Sequence, residues 1–413
     1  MVEYAYTNGN KESAMNFIKN PCPRGPGYDI AFLDRAHAET VRKYHKTFPQ
    51  YAVTPLVSLK QTAAHFGVSN IYVKNENARF GLNAFKVLGG SYAIGRVIAE
   101  RLGVPPEEMT YAVLTDPATR AKTGPLTFIT ATDGNHGRGV AWTAMTLGYD
   151  AYVYMPKGTA PERLDNILAT GAHAEITDLI YDDVVRYVRK LSEKNGWILV
   201  QDTAWEGYTE VSDRIMQGYL TVTDEAAEQL GGATPTHIFV QAGVGSLAAT
   251  VAAYYSQRYK EAHPFITVVE PDNAACIFQT ARANDGRRHA VTDLNTIQAG
   301  LACGEPSLTA WEILRQCADG FMTIPDCVAA TGMRILASPM AGDTPIEAGE
   351  SGASAFGAAI ELLRPENEAF RKLAGIDENS VILVINTEGA TDRENYRRIV
   401  WDGQNCRSAA DDG

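Results

Sequence analysis

The 413-residue chain lacks the features that would place it in several broad functional classes. It has no run of basic residues and a formal net charge of −12, whereas sequence-independent nucleic-acid binding needs clustered Lys and Arg. No stretch is both long enough and apolar enough to span a bilayer, and the opening segment MVEYAYTNGNKES lacks the apolar core of a secretory signal. These absences predict a cytoplasmic protein with no nucleic-acid or membrane partner.

Cysteine is also scarce, with six residues in the whole chain and no CxxC pair. So few cysteines do not make a disulfide scaffold, and their spacing does not match a structural zinc site. We expect buried free thiols and no metal. A single bridge between Cys276 and Cys303, which flank part of a weakly patterned region, is the alternative.

The patterns that are present alternate between short apolar strands and helices. One series runs from 126 to 202 and a second begins near 236 and includes the late strand at 381–389. Such alternation predicts parallel sheets covered by helices, and a chain of this length suggests two domains. The segment 272–350 is weakly patterned and rich in Gly and Pro, so we expect it to shape or cover a pocket. Ligands of such sheets bind beyond the carboxyl ends of the strands, and the motifs described next fall at those positions.

The first motif, GLNAFKVLGGSYA at 81–93, carries Lys86 at the start of a helical pattern. Its neighbours are apolar, and burial would lower the pKa of the amine and make it a nucleophile toward an aldehyde. The alternative for a lone lysine is a surface residue with its stem on the core.

The second motif, TDGNHGRGVAW at 132–142, joins a strand to a helix. Asn135 can donate a hydrogen bond to a phenolate oxygen, and Asp133 offers a carboxylate that could move protons. The alternative is an ordinary capping turn in which Asp133 accepts from free N–H groups. His136 by itself is better explained as a packed or hydrogen-bonded turn residue.

The third motif, QAGVGSLA at 241–248, is a Gly-rich turn between a strand and a helix. Backbone N–H groups and the Ser246 hydroxyl can hold a phosphate there, helped by the helix dipole. The turn lacks the third glycine of the dinucleotide fingerprint and has no GK[ST]. A tight turn before a buried helix is the alternative.

Two further turns carry single candidates. Asp202, in QDTAWEGY at 201–208, ends a strand and could bind a substrate ammonium or act as a base, with a helix cap as the alternative. Thr387, in NTEGATD at 386–392, could face a ring nitrogen, with a polar turn as the alternative.

Together the loops NAFK, DGNHG and GVGS, in this order, resemble the tryptophan-synthase β-like enzymes, the fold type II pyridoxal-phosphate family. The resemblance covers most of the chain. It implies two doubly wound α/β domains with mostly parallel sheets: a discontinuous cofactor-binding domain at 1–95 and 216–413, and a smaller domain at 96–215, with the active site between them. It also implies a homodimer.

The resemblance implies roles for the candidate residues. Lys86 would hold pyridoxal phosphate as a Schiff base, Asn135 would bond its phenolate oxygen, and Thr387 would face its ring nitrogen. Asp133 and Asp202 would be the acid/base pair. The phosphate would be held by four consecutive residues, Gly243, Val244, Gly245 and Ser246.

Within this family the motifs are most similar to ammonia-lyases acting on a 2,3-diamino acid, whose pattern carries Asp where serine and threonine dehydratases usually have Ser; here that residue is Asp133. The implied reaction is α,β-elimination of D- and L-2,3-diaminopropionate to pyruvate and two ammonia molecules. The alternatives are a serine/threonine dehydratase or a β-replacing enzyme of the same fold, a nicotinamide-dependent dehydrogenase, and a catalytically silent binding protein.

Overall fold

A computed structural model describes residues 15–22 and 27–407. The opening segment MVEYAYTNGNKES, on which the prediction of no secretory signal rests, lies outside the described residues. Within the described ranges, no helix has the length and apolar character needed to cross a membrane.

Eleven strands are present in the described part of the chain. Their bounds are β1 Asn16–Lys19, β2 Leu56–Ser58, β3 Asn70–Asn75, β4 Thr127–Ala131, β5 Asp150–Met155, β6 His173–Ile176, β7 Ile198–Leu199, β8 His237–Gln241, β9 Phe265–Pro271, β10 Gly320–Ile324 and β11 Val381–Asn386.

The strands form two sheets. The larger has the order β1-β10-β9-β8-β11-β3-β2, with five parallel central strands and an antiparallel strand at each edge. The smaller has the order β6-β5-β4-β7 and is entirely parallel. The predicted α/β class with mostly parallel sheets is therefore confirmed.

Helices cover these sheets. The α-helices within 27–407 are α1 Arg35–His45, α2 Lys60–His65, α3 Val87–Leu102, α4 Tyr111–Thr115, α5 Pro117–Thr123, α6 Asn135–Thr146, α7 Pro161–Leu168, α8 Tyr181–Asn195, α9 Glu210–Gln229, α10 Ser246–Arg258, α11 Cys276–Ala283, α12 Leu308–Cys317, α13 Asp326–Ala337, α14 Glu350–Leu362, α15 Glu368–Ala374 and α16 Arg393–Val400.

Burial explains why the central strands are readable from sequence. Every residue of β8 is buried, as are all but the first of β9 and of β11, because helices lie on both faces of the sheet. Such strands appear as continuous apolar runs rather than alternating ones. The weakly patterned segment 272–350 is more regular than expected, since it holds α11, α12, α13 and the buried strand β10.

The two-domain division stays a prediction. The smaller sheet lies within residues 127–199, inside the predicted small domain at 96–215. Both predicted boundaries fall inside helices, because α3 runs through 95–96 and α9 runs through 215–216. These two helices pack against each other, so they join the two sheets through one continuous core.

Candidate active site

Neighbouring strands bring the predicted motifs together. β8 and β11 are adjacent in the larger sheet, so the turn after Gln241 and the turn after Asn386 meet at one edge. β4 and β7 are adjacent in the smaller sheet, which places the turns that follow them side by side. All nine predicted site residues line one cleft between these edges: Lys86, Asp133, Asn135, Asp202, Gly243, Val244, Gly245, Ser246 and Thr387.

Lys86 directly precedes α3, and its ammonium contacts a carboxylate. Nζ lies 2.5 Å from Oδ2 of Asp202, and the lysine side chain is 19% exposed. Burial alone would lower the pKa of this amine, but Asp202, Tyr219 and Asp133 together outweigh burial and raise it, with Asp202 contributing most among them. The expectation that desolvation lowers the pKa of this amine is therefore wrong for the lysine paired with Asp202.

Asp202 lies just after β7 and belongs to the site rather than to a helix cap, since α9 begins only at Glu210. Its side chain is 4% exposed and lies 3.8 Å from Nδ1 of His136. Burial opposes ionisation, yet His136 and Lys86 together lower the pKa of Asp202 to about 2. The carboxylate is therefore ionised at neutral pH.

The turn after β4 is capped by Thr132, a residue that sequence reasoning did not single out. Its Oγ1 accepts hydrogen bonds of 2.9 Å from the N–H groups of Gly134 and Gly137. Asp133 is thereby left free of the capping role, and its buried Oδ2 has no hydrogen-bond partner among the described residues. Burial raises the pKa of Asp133, although Arg163 and Lys86 act against that rise.

The two other polar residues of this turn have different surroundings. Asn135 donates through Nδ2 to Glu388, a carboxylate of the turn after β11 that sequence reasoning missed. His136 is buried, and its Nε2 lies 2.8 Å from the carbonyl oxygen of Val200. His136 is thus a hydrogen-bonded turn residue, as the sequence indicated.

The turn GVGS leads from β8 into α10. Gly245 has a φ of +104°, and a Cβ on Gly243 would lie 3.0 Å from Sγ of Cys303, so both positions favour glycine. Among the described residues, no acceptor is bonded to the N–H groups of Gly243, Val244 or Gly245. The Ser246 hydroxyl donates to the carbonyl oxygen of Asp202 at 2.6 Å. The side chain of Ser246 therefore links the proposed phosphate-binding turn to the backbone of Asp202.

Thr387 is buried beside the cleft. Its Oγ1 accepts a 3.0 Å hydrogen bond from Nε2 of Gln241, which also donates to the carbonyl oxygen of Ser351 at 2.9 Å. Gln241 ends β8 and was missed because a buried glutamine at a strand end carries no distinctive sequence pattern.

Other residues also line the cleft. Gln241 lies at the end of β8, and the others come mostly from loops and helix ends and include Phe85, Tyr181, Gly300, Leu301, Cys303, Ser351 and Glu388. Glu388 could have been found, because it neighbours Thr387 in the NTEGATD turn. Gly300, Leu301 and Cys303 lie in the segment expected to shape a pocket. Tyr181 begins α8, and no local pattern distinguishes it from a core tyrosine.

The described cysteines are free thiols, Cys276 and Cys303 included. The alternative of a bridge between these two is therefore not supported. In addition, no group of three or more His, Cys, Asp or Glu side chains in the described ranges is arranged to hold a metal ion.

The cleft fits pyridoxal phosphate. It combines a lysine amine, consecutive N–H donors without acceptors in the turn that leads into a 13-residue helix, and glycines whose Cβ would fill the space beside the turn. Helix N-termini of this kind bind phosphate groups. Asn135 and Thr387 add polar groups at two other points of the cleft.

Comparison with known proteins agrees with this chemistry. A family model described as pyridoxal-phosphate dependent enzyme matches residues 47–388. A diaminopropionate ammonia-lyase from Salmonella typhimurium is 46% identical over 390 residues, covering 92% of this chain and 96% of that protein.

Solved structures agree as well. The holo diaminopropionate ammonia-lyase from Escherichia coli superposes with a TM-score of 0.89 at 43% identity, covering 96% of this chain and 98% of that one. The same enzyme in complex with an aminoacrylate-PLP azomethine reaction intermediate gives a TM-score of 0.88 at 42% identity, covering 95% and 98% of the two chains.

Proposed function

The chain belongs to the pyridoxal-phosphate dependent enzymes, and from this premise we propose that it eliminates ammonia from 2,3-diaminopropionate to give pyruvate and a second ammonia. The observation that carries the proposal is the convergence of Lys86, Asp133 and Asp202 on one cleft with the GVGS turn. The relatives named above, which share over two-fifths of their residues with this chain, are diaminopropionate ammonia-lyases.

Pyridoxal phosphate, when bound, supplies an aldehyde for covalent attachment of an amino acid and a ring that delocalises the charge left by the departing α-proton. In this proposal Lys86 would hold the cofactor through Nζ and would take part in product release. Asn135 would orient the ring through Nδ2, the N–H groups of residues 243–246 would bind the phosphate, and Thr387 would face the ring nitrogen.

The two carboxylates act as bases for different enantiomers. Asp202 takes the α-proton of the L form, with Lys86 as the rival base, and Asp133 takes that of the D form. They reach the cleft from different turns of the smaller sheet, one after β7 and one after β4. The β-amino group leaves as ammonia from its protonated, ammonium form, and the nitrogen keeps the electron pair of the broken C–N bond.

Charge favours a diamino substrate. Asp202 is ionised, and Asp133 and Glu388 line the same cleft. Carboxylates near the reacting carbon attract a substrate with two ammonium groups more strongly than serine, whose side chain is neutral. Serine or threonine dehydration by the same fold is the alternative reaction. Pyruvate release from diaminopropionate and from serine, compared at equal enzyme concentration, separates the two.

Asp133→Asn tests the assignment of bases. We expect kcat for D-diaminopropionate to fall by about 10²-fold or more, the usual loss for a general base, while turnover of the L form changes only several-fold. Asp224→Asn is the matched control, since Asp224 is a buried carboxylate paired with Arg42 away from the cleft. Equal losses for both enantiomers in Asp133→Asn contradict separate bases.

Assembly and location remain predictions. The homodimer inferred from sequence is checked by sedimentation of the purified holoenzyme, and the cytoplasmic location is checked by fractionation of cells that express the chain. The nicotinamide-dependent dehydrogenase is dropped, because the family match concerns pyridoxal phosphate.

A further inference from the structure

We propose that Arg163 is a positioning residue for Asp133: it faces the buried Oδ2 at ion-pair distance and keeps the carboxylate charged, which leaves the other oxygen to accept the proton. The inference rests on the proposed role of Asp133 as the base for the D enantiomer. Arg163 is three residues into α7, whose pattern PERLDNIL gave no sign of a site residue.

The two groups form an unusual buried pair. Nη1 of Arg163 lies 3.7 Å from Oδ2 of Asp133, and the arginine side chain is only 5% exposed. Both of these atoms are buried, and neither has a hydrogen-bond partner among the described residues. A buried guanidinium nitrogen without a hydrogen bond is costly, and the opposite charges around it offset that cost.

The separation suits a base. At 3.7 Å the atoms are too far apart for a good hydrogen bond, but the Coulomb attraction between opposite charges is still strong in a buried site. Oδ2 is buried while the Asp133 side chain as a whole is 19% exposed. Arg163 therefore supplies charge stabilisation from the buried side and leaves the other carboxylate oxygen to take the proton.

Two glycines fix this geometry from opposite sides. A Cβ on Gly134, whose φ is +151°, would lie 3.3 Å from Cδ and from Nη1 of Arg163, so the arginine lies directly against the turn. A Cβ on Gly300 would lie 3.3 Å from Oδ2 of Asp133, so the oxygen is packed against the loop at 299–303. The close approach of these two side chains to the neighbouring backbone therefore favours glycine at both positions.

The surrounding charges make the arginine necessary. Burial raises the pKa of Asp133, and the nearby carboxylates Glu388 and Asp202 raise it further, while Arg163 and Lys86 lower it. The other titratable groups that sense this charge are His136, Tyr181, Tyr219 and Cys303. Arg163 itself is surrounded by Asp133, Glu350, Glu388 and Asp392. Without the guanidinium, burial and like charge would favour the protonated, inactive form of Asp133.

The pH dependence of the two enantiomers tests the proposal on the holoenzyme. In Arg163→Gln, the acid limb of kcat/KM for D-diaminopropionate should move to higher pH by about one unit or more, because removal of an opposite charge at this distance shifts a carboxyl by that much. Each unit lowers the D rate on the acid limb about tenfold. The acid limb for the L enantiomer should stay in place. An unmoved acid limb for the D enantiomer overturns the proposal.

Arg138→Gln is the matched control. Arg138 is a half-buried arginine of α6 that donates to the carbonyl oxygen of Leu82 at 3.1 Å, and burial alone accounts for its lowered pKa. We expect that Arg138→Gln leaves the acid limbs of kcat/KM for the D and L enantiomers at the same pH as in the unmodified enzyme. If Arg138→Gln shifts the D limb as Arg163→Gln does, the effect is general destabilisation and the proposal fails.

A second readout does not depend on activity. In a double-mutant cycle followed by urea unfolding, the losses from Arg163→Gln and Asp133→Asn should be non-additive, since each removes the same charge interaction. Additive losses overturn the pairing. An Asp133→Asn enzyme that loses both enantiomers equally contradicts the proposed function, whereas D-selective loss without a pH shift in Arg163→Gln contradicts only the role of Arg163.

Discussion

Two lysines, twelve positions apart in sequence, lie in contrasting surroundings. Lys74 lies on β3, beside the edge strand β2 of the larger sheet, and is fully buried, with an exposed side-chain fraction of 0%. Lys86 is 19% exposed and lines the cleft. Each contacts a carboxylate that carries a depressed pKa, Glu225 for the first lysine and Asp202 for the second.

The ammonium group of Lys74 has a full set of hydrogen-bond acceptors. Its ammonium donates three hydrogen bonds, to Glu225 and the carbonyl oxygen of Thr54 at 2.7 Å each and to Gln229 at 2.8 Å. Arg79, also fully buried, donates to Glu76 at 2.7 Å and to Glu225 at 2.7 Å. Every proton of the ammonium has an acceptor, which is what a buried structural charge requires.

Several buried polar atoms around Lys86 lack hydrogen-bond partners. Asp202 is its hydrogen-bonded carboxylate, while Oδ2 of Asp133, Nη1 of Arg163 and Nδ1 of His136 have no hydrogen-bond partners among the described residues. Unpaired buried polar atoms around a cleft are costly in a purely structural site and useful in a reactive one.

The comparison shows that burial alone does not identify a reactive lysine. Burial lowers the pKa of Lys74, the structural residue, whereas Asp202 and other nearby groups together overcome burial and raise the pKa of Lys86, the proposed cofactor residue. What separates them is access to the cleft and unsatisfied neighbours.

Lys86→Ala should give the largest effect. Without the amine, the visible absorbance of the Schiff base should disappear and elimination should fall by about 10³-fold or more, as for loss of a nucleophilic or proton-transferring group. Unfolding in urea should also become easier, because Asp202, whose side chain is 4% exposed, loses its ion-pair partner. A retained visible band places the cofactor on another lysine.

Lys74→Met should lower the stability of the protein and leave its cofactor absorbance in place. Glu225 would lose a buried partner, and the free energy of unfolding should fall by about 3–5 kcal/mol, measured by urea denaturation. The folded fraction should keep its visible band. Lys372→Met is the control, because Lys372 is 73% exposed in its pair with Glu368 and should change stability by less than about 1 kcal/mol. A stable Lys74→Met enzyme without the visible band would reverse the assignment of the two lysines.

The smallest effect concerns acid stability. Burial would raise the pKa of Glu225, but Arg79 and Lys74 hold it below its ordinary value of 4.5. In the pH range just below 4.5 the unfolded chain binds a proton that the folded chain does not, so stability is fully present above 4.5 and is lost as pH falls. Glu225→Gln should remove a slope of at most about 1.4 kcal/mol per pH unit. Unfolding free energies measured from pH 3 to 6 check this, and an unchanged slope contradicts it.

The sequence predicted those parts of the fold whose local pattern matches their burial. β8, β9 and β11 are apolar runs, and helices on both faces make that pattern necessary. β10 was missed because its five residues, GFMTI, begin with a glycine and lie in a Gly- and Pro-rich region. That glycine is required by packing, since a Cβ on Gly320 would lie 2.9 Å from the ring of Phe17.

The site could be predicted as far as its loops carry local signals. Glycines and polar residues after strands located Lys86, Asn135, Asp133 and the GVGS turn in one cleft. Arg163 could not be found, because an arginine in an amphipathic helix has the pattern of a surface residue and is buried only by tertiary packing. The contact between Lys86 and Asp202, which reverses the expected pKa shift, also joins residues 116 positions apart.

Borohydride reduction of the pyridoxal-phosphate holoenzyme, followed by proteolysis and mass spectrometry, identifies the lysine that holds the cofactor. Reduction fixes the cofactor on the amine that holds it. We expect the added mass on the peptide that contains Lys86, with Lys74 unmodified. Cofactor mass on Lys74, or on any lysine other than Lys86, would contradict it.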